Sequence, residues 1–310
     1  MEDTGLLVNV LSRGLVYSTP LLWGTLGEIY AERSGVMNLG VEGMMMIGAF
    51  TSFATAHITG NPWLGVLVAA IAGGLLALIH AFLTITLRAN QVVSGLALGM
   101  FGSGLANMLG RGWEGFSLRS PLTDILFVPV FSNIPLLGPI VFQNQNIVTY
   151  IGILLAIMLW LLLYKTKLGL VIRSVGESPG CADALGINIF LVRYLCVIWG
   201  GALAGIGGAF LSLVYRPAWT AGMSAGMGWI ALALTIFAAW NPLNAVGGAL
   251  LFGTLFCLAY TLQPWMPPEF LKIIPYASTI LVLTILCLGK AREGLGAPAA
   301  LGIPYKRGEE

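Results

Sequence analysis

Residues 32 to 50 read Glu32-Arg33-Ser34-Gly35-Val36-Met37-Asn38-Leu39-Gly40-Val41-Glu42-Gly43-Met44-Met45-Met46-Ile47-Gly48-Ala49-Phe50. A charged start runs into an apolar stretch of membrane length, which leaves one carboxylate, Glu42, at the entrance of a span. An ionised group at mid-helix costs about 2.5 to 3.5 kcal/mol on insertion scales. Glu42 must therefore face protein or water, or lie close enough to the boundary to stay hydrated. Asn38, four residues earlier, shares its helical face. The pair either lines a solute route or bonds a neighbouring helix as a structural lock, and the lock is favoured. Gly35, Gly40, Gly43 and Gly48 suit close backbone contact between membrane helices.

Outward from this stretch the same character persists. Hydrophobic residues make up 57% of the chain and charged residues only 9%, against roughly 25% charged in soluble domains. Arg88 is the one charge between Gly43 and Gly110, and only Arg216, Glu269 and Lys272 fall between Tyr194 and Gly289. A span needs about 20 apolar residues. By that ruler spans are expected at 14–27, 36–57, 63–86, 91–110, 147–164, 191–215, 225–240, 243–262 and 273–289. The 225–240 stretch is short for a full crossing. The expected fold is all-α: a polytopic transmembrane bundle of eight to ten helices forming a single domain over residues 1–310.

Basic residues orient it. Lys165, Lys167, Arg173 and Arg193 lie in one loop (164–193), and Lys290, Arg292, Lys306 and Arg307 in the tail (290–310). The excess of Lys and Arg on cytoplasmic loops places both inside. Arg88 then also falls inside, and the segment from Arg111 to Asn146, broken by Pro121, Pro129, Pro135 and Pro139, falls outside as a cap or re-entrant piece. Asn61-Pro62 and Asn241-Pro242 each open a Gly- and Leu-rich span, on opposite sides, with Gly73 and Gly253 at equal depth. These landmarks suit an inverted repeat, whose interface is where substrate routes lie.

Other patterns narrow the chemistry. The net charge of +2, without a Lys/Arg cluster, argues against a nucleic-acid partner. Cys181, Cys196, Cys257 and Cys287 have no ligand or redox spacing, and His57 and His80 stand apart from acidic or cysteine partners, so no metal is expected. The chain begins Met1-Glu2-Asp3, unlike a removable signal peptide. Trp63, Trp113, Trp219, Trp240 and Trp265 fall near span ends, where indoles anchor at the lipid interface. Gln91 and Ser94, three apart on one helical face, either bond a polar solute or, the favoured role, a neighbouring backbone. Ser178 as N-cap and Pro179 in a first turn predict a short helix over 179–185, ending at Gly186.

Residues Glu32 to Phe50 resemble the signature of the permease family of nucleoside, ribose and related sugar importers. Asn90-Gln91-Val92-Val93-Ser94-Gly95-Leu96-Ala97-Leu98 and the tail from Gly296 to Tyr305 are similar to the same family, so the likeness spans nearly the whole chain. It is greatest for the shorter of two permeases in nucleoside systems. The resemblance implies a subunit of an ATP-binding-cassette importer in a bacterial cytoplasmic membrane, surrounded by membrane lipid. It also implies an ATPase partner holding ATP and magnesium, a second, longer permease making a heterodimer, and an extracytoplasmic substrate-binding protein. The short helix of the inner loop would then couple to the ATPase through Arg173, Gly176, Glu177, Pro179, Ala182, Leu185 and Gly186. The chain needs no cofactor of its own and lacks the GxxxxGK[ST] phosphate loop, so hydrolysis is expected on another chain. Asn38, Glu42, Gln91 and Ser94 are the candidates for the route. A secondary carrier or facilitator working alone is the rival reading, although such carriers place several ionisable groups in their spans. A membrane enzyme lacks any converging acid pair, nucleophile with base, or metal cluster.

Overall fold

A computed structural model describes residues 2–126, 138–143, 145–263 and 296–307, with isolated positions between 267 and 284. Ten α-helices run through the described residues: α1 Glu2–Arg33, α2 Val41–Thr59, α3 Pro62–Ala81, α4 Gln91–Gly110, α5 Ile147–Lys165, α6 Lys167–Glu177, α7 Pro179–Ala184, α8 Ile189–Phe210, α9 Met227–Phe237 and α10 Pro242–Thr261. Two-residue strands, β1 Ile125–Leu126 and β2 Gln145–Asn146, pair antiparallel. Wider π-helical turns extend α3 through Thr86 and α8 through Tyr215. Among the described residues, five helices, α3, α4, α5, α8 and α10 with these extensions, are long and apolar enough to cross a membrane. The molecule is a polytopic helical bundle. The expected span at 273–289 extends over residues outside those described.

The centre is built by α1 and α2. Leu21, Leu26, Ile29, Met44, Met45, Met46 and Phe53 are all fully buried, whereas α3, α4 and α5 turn rows of Leu, Ile and Met outward. Apolar on its outer faces as well as at its centre, the bundle meets what lipid requires, because outward apolar side chains lose nothing there. Glycines let the helices meet backbone to backbone. Gly27 of α1 and Gly200 of α8 each face the other's carbonyl, and Gly208 of α8 faces the Met45 carbonyl of α2. Pro20 lies inside α1 without ending it, a tolerance common in membrane helices.

The two Asn-Pro helices occupy related places. Gly73 of α3 packs on Gly201 and Gly205 of α8, and Gly253 of α10 packs on Gly14 and Ser18 of α1. The α3 start lies beside Asp124, which accepts from Trp63 Nε1 at 3.0 Å, and the α10 start lies beside Arg33 at the other end of the bundle. Likewise α2 packs on α8, and α9 packs on α1 through Thr25, whose hydroxyl donates to Ala231 O at 3.2 Å. The two Asn-Pro helices thus pack on α8 and α1 in corresponding ways and start at opposite ends of the bundle.

Residues 111–126 cover the end remote from the basic loop, tied down by Leu118 N to Pro217 O and Leu122 N to Leu213 O. Three expected elements differ. The first span, expected over 14–27, is the 32-residue helix α1. The second span starts at Val41 rather than 36, because residues 34–40 form a corner with Gly35 at φ +89°. The stretch 225–240 contains only the 11 residues of α9, about 16 Å of helix, roughly half the hydrocarbon thickness.

Candidate functional site

Both ends of that half-length helix are held by the Glu32–Phe50 segment. At its start, Glu42 accepts from Ser224 Oγ, from Gly226 N at 3.1 Å and from Gly228 N at 2.6 Å. A side chain on Gly228 would collide with the Glu42 backbone, so the glycine is what lets the helix end meet the carboxylate. At its finish, Arg33 donates to Ala239 O and Trp240 O, each at 3.2 Å, and Glu32 accepts from Trp240 Nε1. An anion at the amino end and a cation at the carboxyl end both complement the helix dipole. Ala225, Ala239 and Trp240 take positive φ around these ends, which is uncommon for residues other than glycine.

The remaining sequence-derived route residues assemble beside the corner. Asn38 is buried; its backbone N donates to Glu28 Oε1 at 2.9 Å and its side-chain oxygen accepts from Gly40 N at 3.1 Å. Gln91, also buried, accepts from Met37 N at 2.8 Å. Ser94 Oγ lies 3.1 Å from His80 Nδ1, whose other ring nitrogen lies 3.0 Å from Met37 O. Thus Asn38, Gln91, Ser94 and His80 hold one corner together, while Glu42 alone of the four route candidates is half-buried rather than buried.

At the basic end, α6 and α7 form the polar loop. α7 covers Pro179–Ala184 with Ser178 at the N-cap position, but the Ser178 side chain makes no capping bond. Ala182 is buried, Gly180, Cys181 and Gly186 are exposed, and Leu185 is 81% exposed. Gly176 sits against the Arg33 carbonyl. Arg173 lies over the Tyr164 ring, 5.2 Å from its centroid, and Glu177 accepts from Ala299 N at 3.3 Å.

Several residues with no expected site role matter here. His80, Glu28, Glu32 and Arg193 are all buried polar groups, and only the rarity of ionisable residues in so apolar a chain marked them. Trp219 and Trp240, expected in the interfacial belt, are buried; one ring packs on Gly110 and the other bonds Glu32. Trp265 lies outside the described residues. Among the described residues no group of His, Cys, Asp and Glu is arranged to hold a metal ion.

Residues 10–283 match the family described as branched-chain amino acid transport system / permease component. The chain belongs to this permease family. It is a multi-pass membrane protein, as its helices require. The permease is 39% identical to a Haloferax volcanii protein provisionally named glucose ABC transporter permease protein TsgC13, over 96% of this chain and 98% of that one. It is 37% identical to guanosine ABC transporter permease protein NupQ of Bacillus subtilis over the full length of both. A second Bacillus subtilis protein, guanosine ABC transporter permease protein NupP, is 24% identical over 83% of this chain and 76% of its own length. No solved structure matches the permease.

Proposed function

We propose that this permease is one of two membrane subunits of an ATP-driven importer, and that it carries nucleosides or simple sugars such as ribose inward across a bacterial cytoplasmic membrane. The observation that carries the reading is the amino end of α9 stopping inside the bundle on the half-buried Glu42. Interrupted helices of this kind mark the solute site in membrane transporters. A sugar hydroxyl passing Glu42 meets an acceptor already oriented by Ser224, Gly226 and Gly228, while apolar walls accommodate a base or a pyranose face. Asn38, Gln91 and Ser94 brace the wall behind it.

The likeness to NupQ and TsgC13 supports the solute class, one name specifying a nucleoside and the other a sugar. NupQ and NupP occur in one organism, and NupP is matched over a smaller share of its length; this supports pairing with a longer, related permease. A partner ATPase holds ATP and magnesium, and a substrate-binding protein delivers solute outside. The exposed rim made by Gly180 and Cys181 of α7 and by Leu185 and Gly186 just after it docks on the ATPase. Nucleotide binding then favours one of two packings of the bundle, a shift limited by its differential affinity for the two.

Reconstitution in vesicles tests this. With the ATPase, second permease and binding protein present, ATP drives accumulation of labelled guanosine, ribose or glucose. Accumulation that persists without the ATPase overturns the reading in favour of a carrier.

A further inference from the structure

The described part of the carboxyl-terminal tail, residues 296–307, lies across the inner loop. Ala300 N donates to Gly176 O at 2.9 Å and Ala299 N to Glu177 at the end of α6. Tyr305 then joins a small apolar cluster of Val175, Ala182 and Ile189, separate from the main core. Its hydroxyl donates to Asp183 Oδ2 at 3.0 Å, and Arg307 grips the same carboxylate with two bonds, of 2.7 and 2.9 Å. The tail therefore fastens to α7 on the side away from its exposed rim.

The other attachment is Arg193, at the start of α8. Only 2% of it is exposed. Its Nε donates to Ser34 O at 3.1 Å and its Nη1 to Ile303 O at 3.5 Å. Ser34 opens the corner that leads through Asn38 to Glu42, and Gly35 beside it packs against the Arg193 guanidinium and the Ala300 carbonyl. A buried guanidinium that loses its acceptors is strongly unfavourable, so the corner and the tail cannot shift independently of Arg193. The Asp183–Arg307 pair is exposed on the arginine side and adds little to stability; its geometry, a planar fork on a carboxylate, fixes position.

We infer that the tail is a strut joining α7 to the Ser34–Glu42 corner, with Asp183, Tyr305 and Arg307 as its outer clamp and Arg193 as its inner joint. Displacement of α7 reaches Glu42 and the amino end of α9 through it. Asp183, Arg193 and Arg307 are positioning residues for coupling. The inference rests on the proposal that α7 docks on the ATPase.

The test uses the whole transporter in vesicles, with ATPase co-purification, hydrolysis rate and solute moved per ATP as separate readouts. Asp183→Asn and Arg307→Glu retain co-purification and hydrolysis, while solute per ATP falls by about fivefold or more, the lower end of coupling between sites. The exchange Asp183→Arg with Arg307→Asp restores most of it, which a merely destabilised loop does not do. Unchanged solute per ATP in the single variants, or an assembled exchange variant no better than they are, overturns the strut. Leu185→Asp separates the two claims. Loss of co-purification there supports docking by α7, and normal co-purification overturns the docking and the strut with it.

Discussion

Arg33 and Glu42, nine positions apart in the chain, hold opposite ends of the same half-length helix: Glu42 accepts from the amide groups that begin α9, and Arg33 donates to the carbonyls that follow it. The stretch with the strongest family resemblance is thus a clasp. Removing the acceptor at its amino end leaves three donors unmet, each costing about 1 to 3 kcal/mol when buried. Glu42→Ala is expected to lower the unfolding midpoint of the purified permease strongly and Glu42→Gln about half as much, since Gln keeps one acceptor oxygen. Equal midpoints for wild type and Glu42→Ala would contradict the clasp.

Arg33 should tolerate no lysine. Its Nε and Nη2 reach Trp240 O and Ala239 O, and Nη2 also reaches Tyr164 OH at 3.3 Å. An ammonium group cannot reproduce that fork. Arg33→Lys, which keeps the positive charge at the helix end but loses the fork, is expected to cost about 1 to 2 kcal/mol from the lost hydrogen bonds. Hydrogen exchange at Ala238 to Trp240 should rise in the variant, and unaltered protection there would show that lysine serves as well.

Two glycines in crossing helices should respond in opposite ways. Gly208 of α8 meets the Met45 carbonyl, whereas Gly104 of α4 has open space around it. Gly208→Val forces backbones apart and should cost more than the roughly 1 to 3 kcal/mol of ordinary overpacking. Gly104→Ala should be neutral or stabilising by about 0.5 to 1 kcal/mol, through helix propensity. Size-exclusion profiles and unfolding midpoints decide it; similar behaviour of the two would refute the packing.

The tail clamp should depend on pH in one direction. Hydrogen bonds from the Arg307 guanidinium, with that of Tyr305, hold the Asp183 carboxyl below the usual carboxylate range. A depressed pKa means that the clamp is at full strength above the ordinary aspartate value, about 4. It is lost as pH falls through the lower, docked value. A spin label at Ile303→Cys should stay immobile from neutral pH down to that range and gain mobility only in stronger acid. Mobility that already changes between pH 6 and about 8, where an unperturbed histidine would titrate, would point to another group.

Much of the architecture was legible from hydropathy alone. The spans at 63–86, 91–110, 147–164 and 191–215 recur within two residues in the helices and their π-helical extensions, because lipid demands long apolar segments and leaves few alternatives. The Asn61-Pro62 and Asn241-Pro242 landmarks correctly pointed to helices of reversed direction. Less was legible at the site. Asn38 and Glu42 share a helical face only if the helix reaches back to Asn38, and the corner at Gly35 to Gly40 breaks that premise.

By itself the sequence determined that the chain folds as a membrane bundle, which end carries the basic loops, and that residues 32–50 form its most distinctive stretch. Those properties follow from local composition and from the cost of exposing polar groups to lipid. Only the tertiary structure decided what that stretch holds. Arg33 and Glu42 find Ala239, Trp240, Ser224, Gly226 and Gly228 roughly two hundred residues away, and no local periodicity encodes a partner at that distance. Burial and close glycine packing select it, since a charge inside the bundle is stable only where a helix end or another polar group meets it.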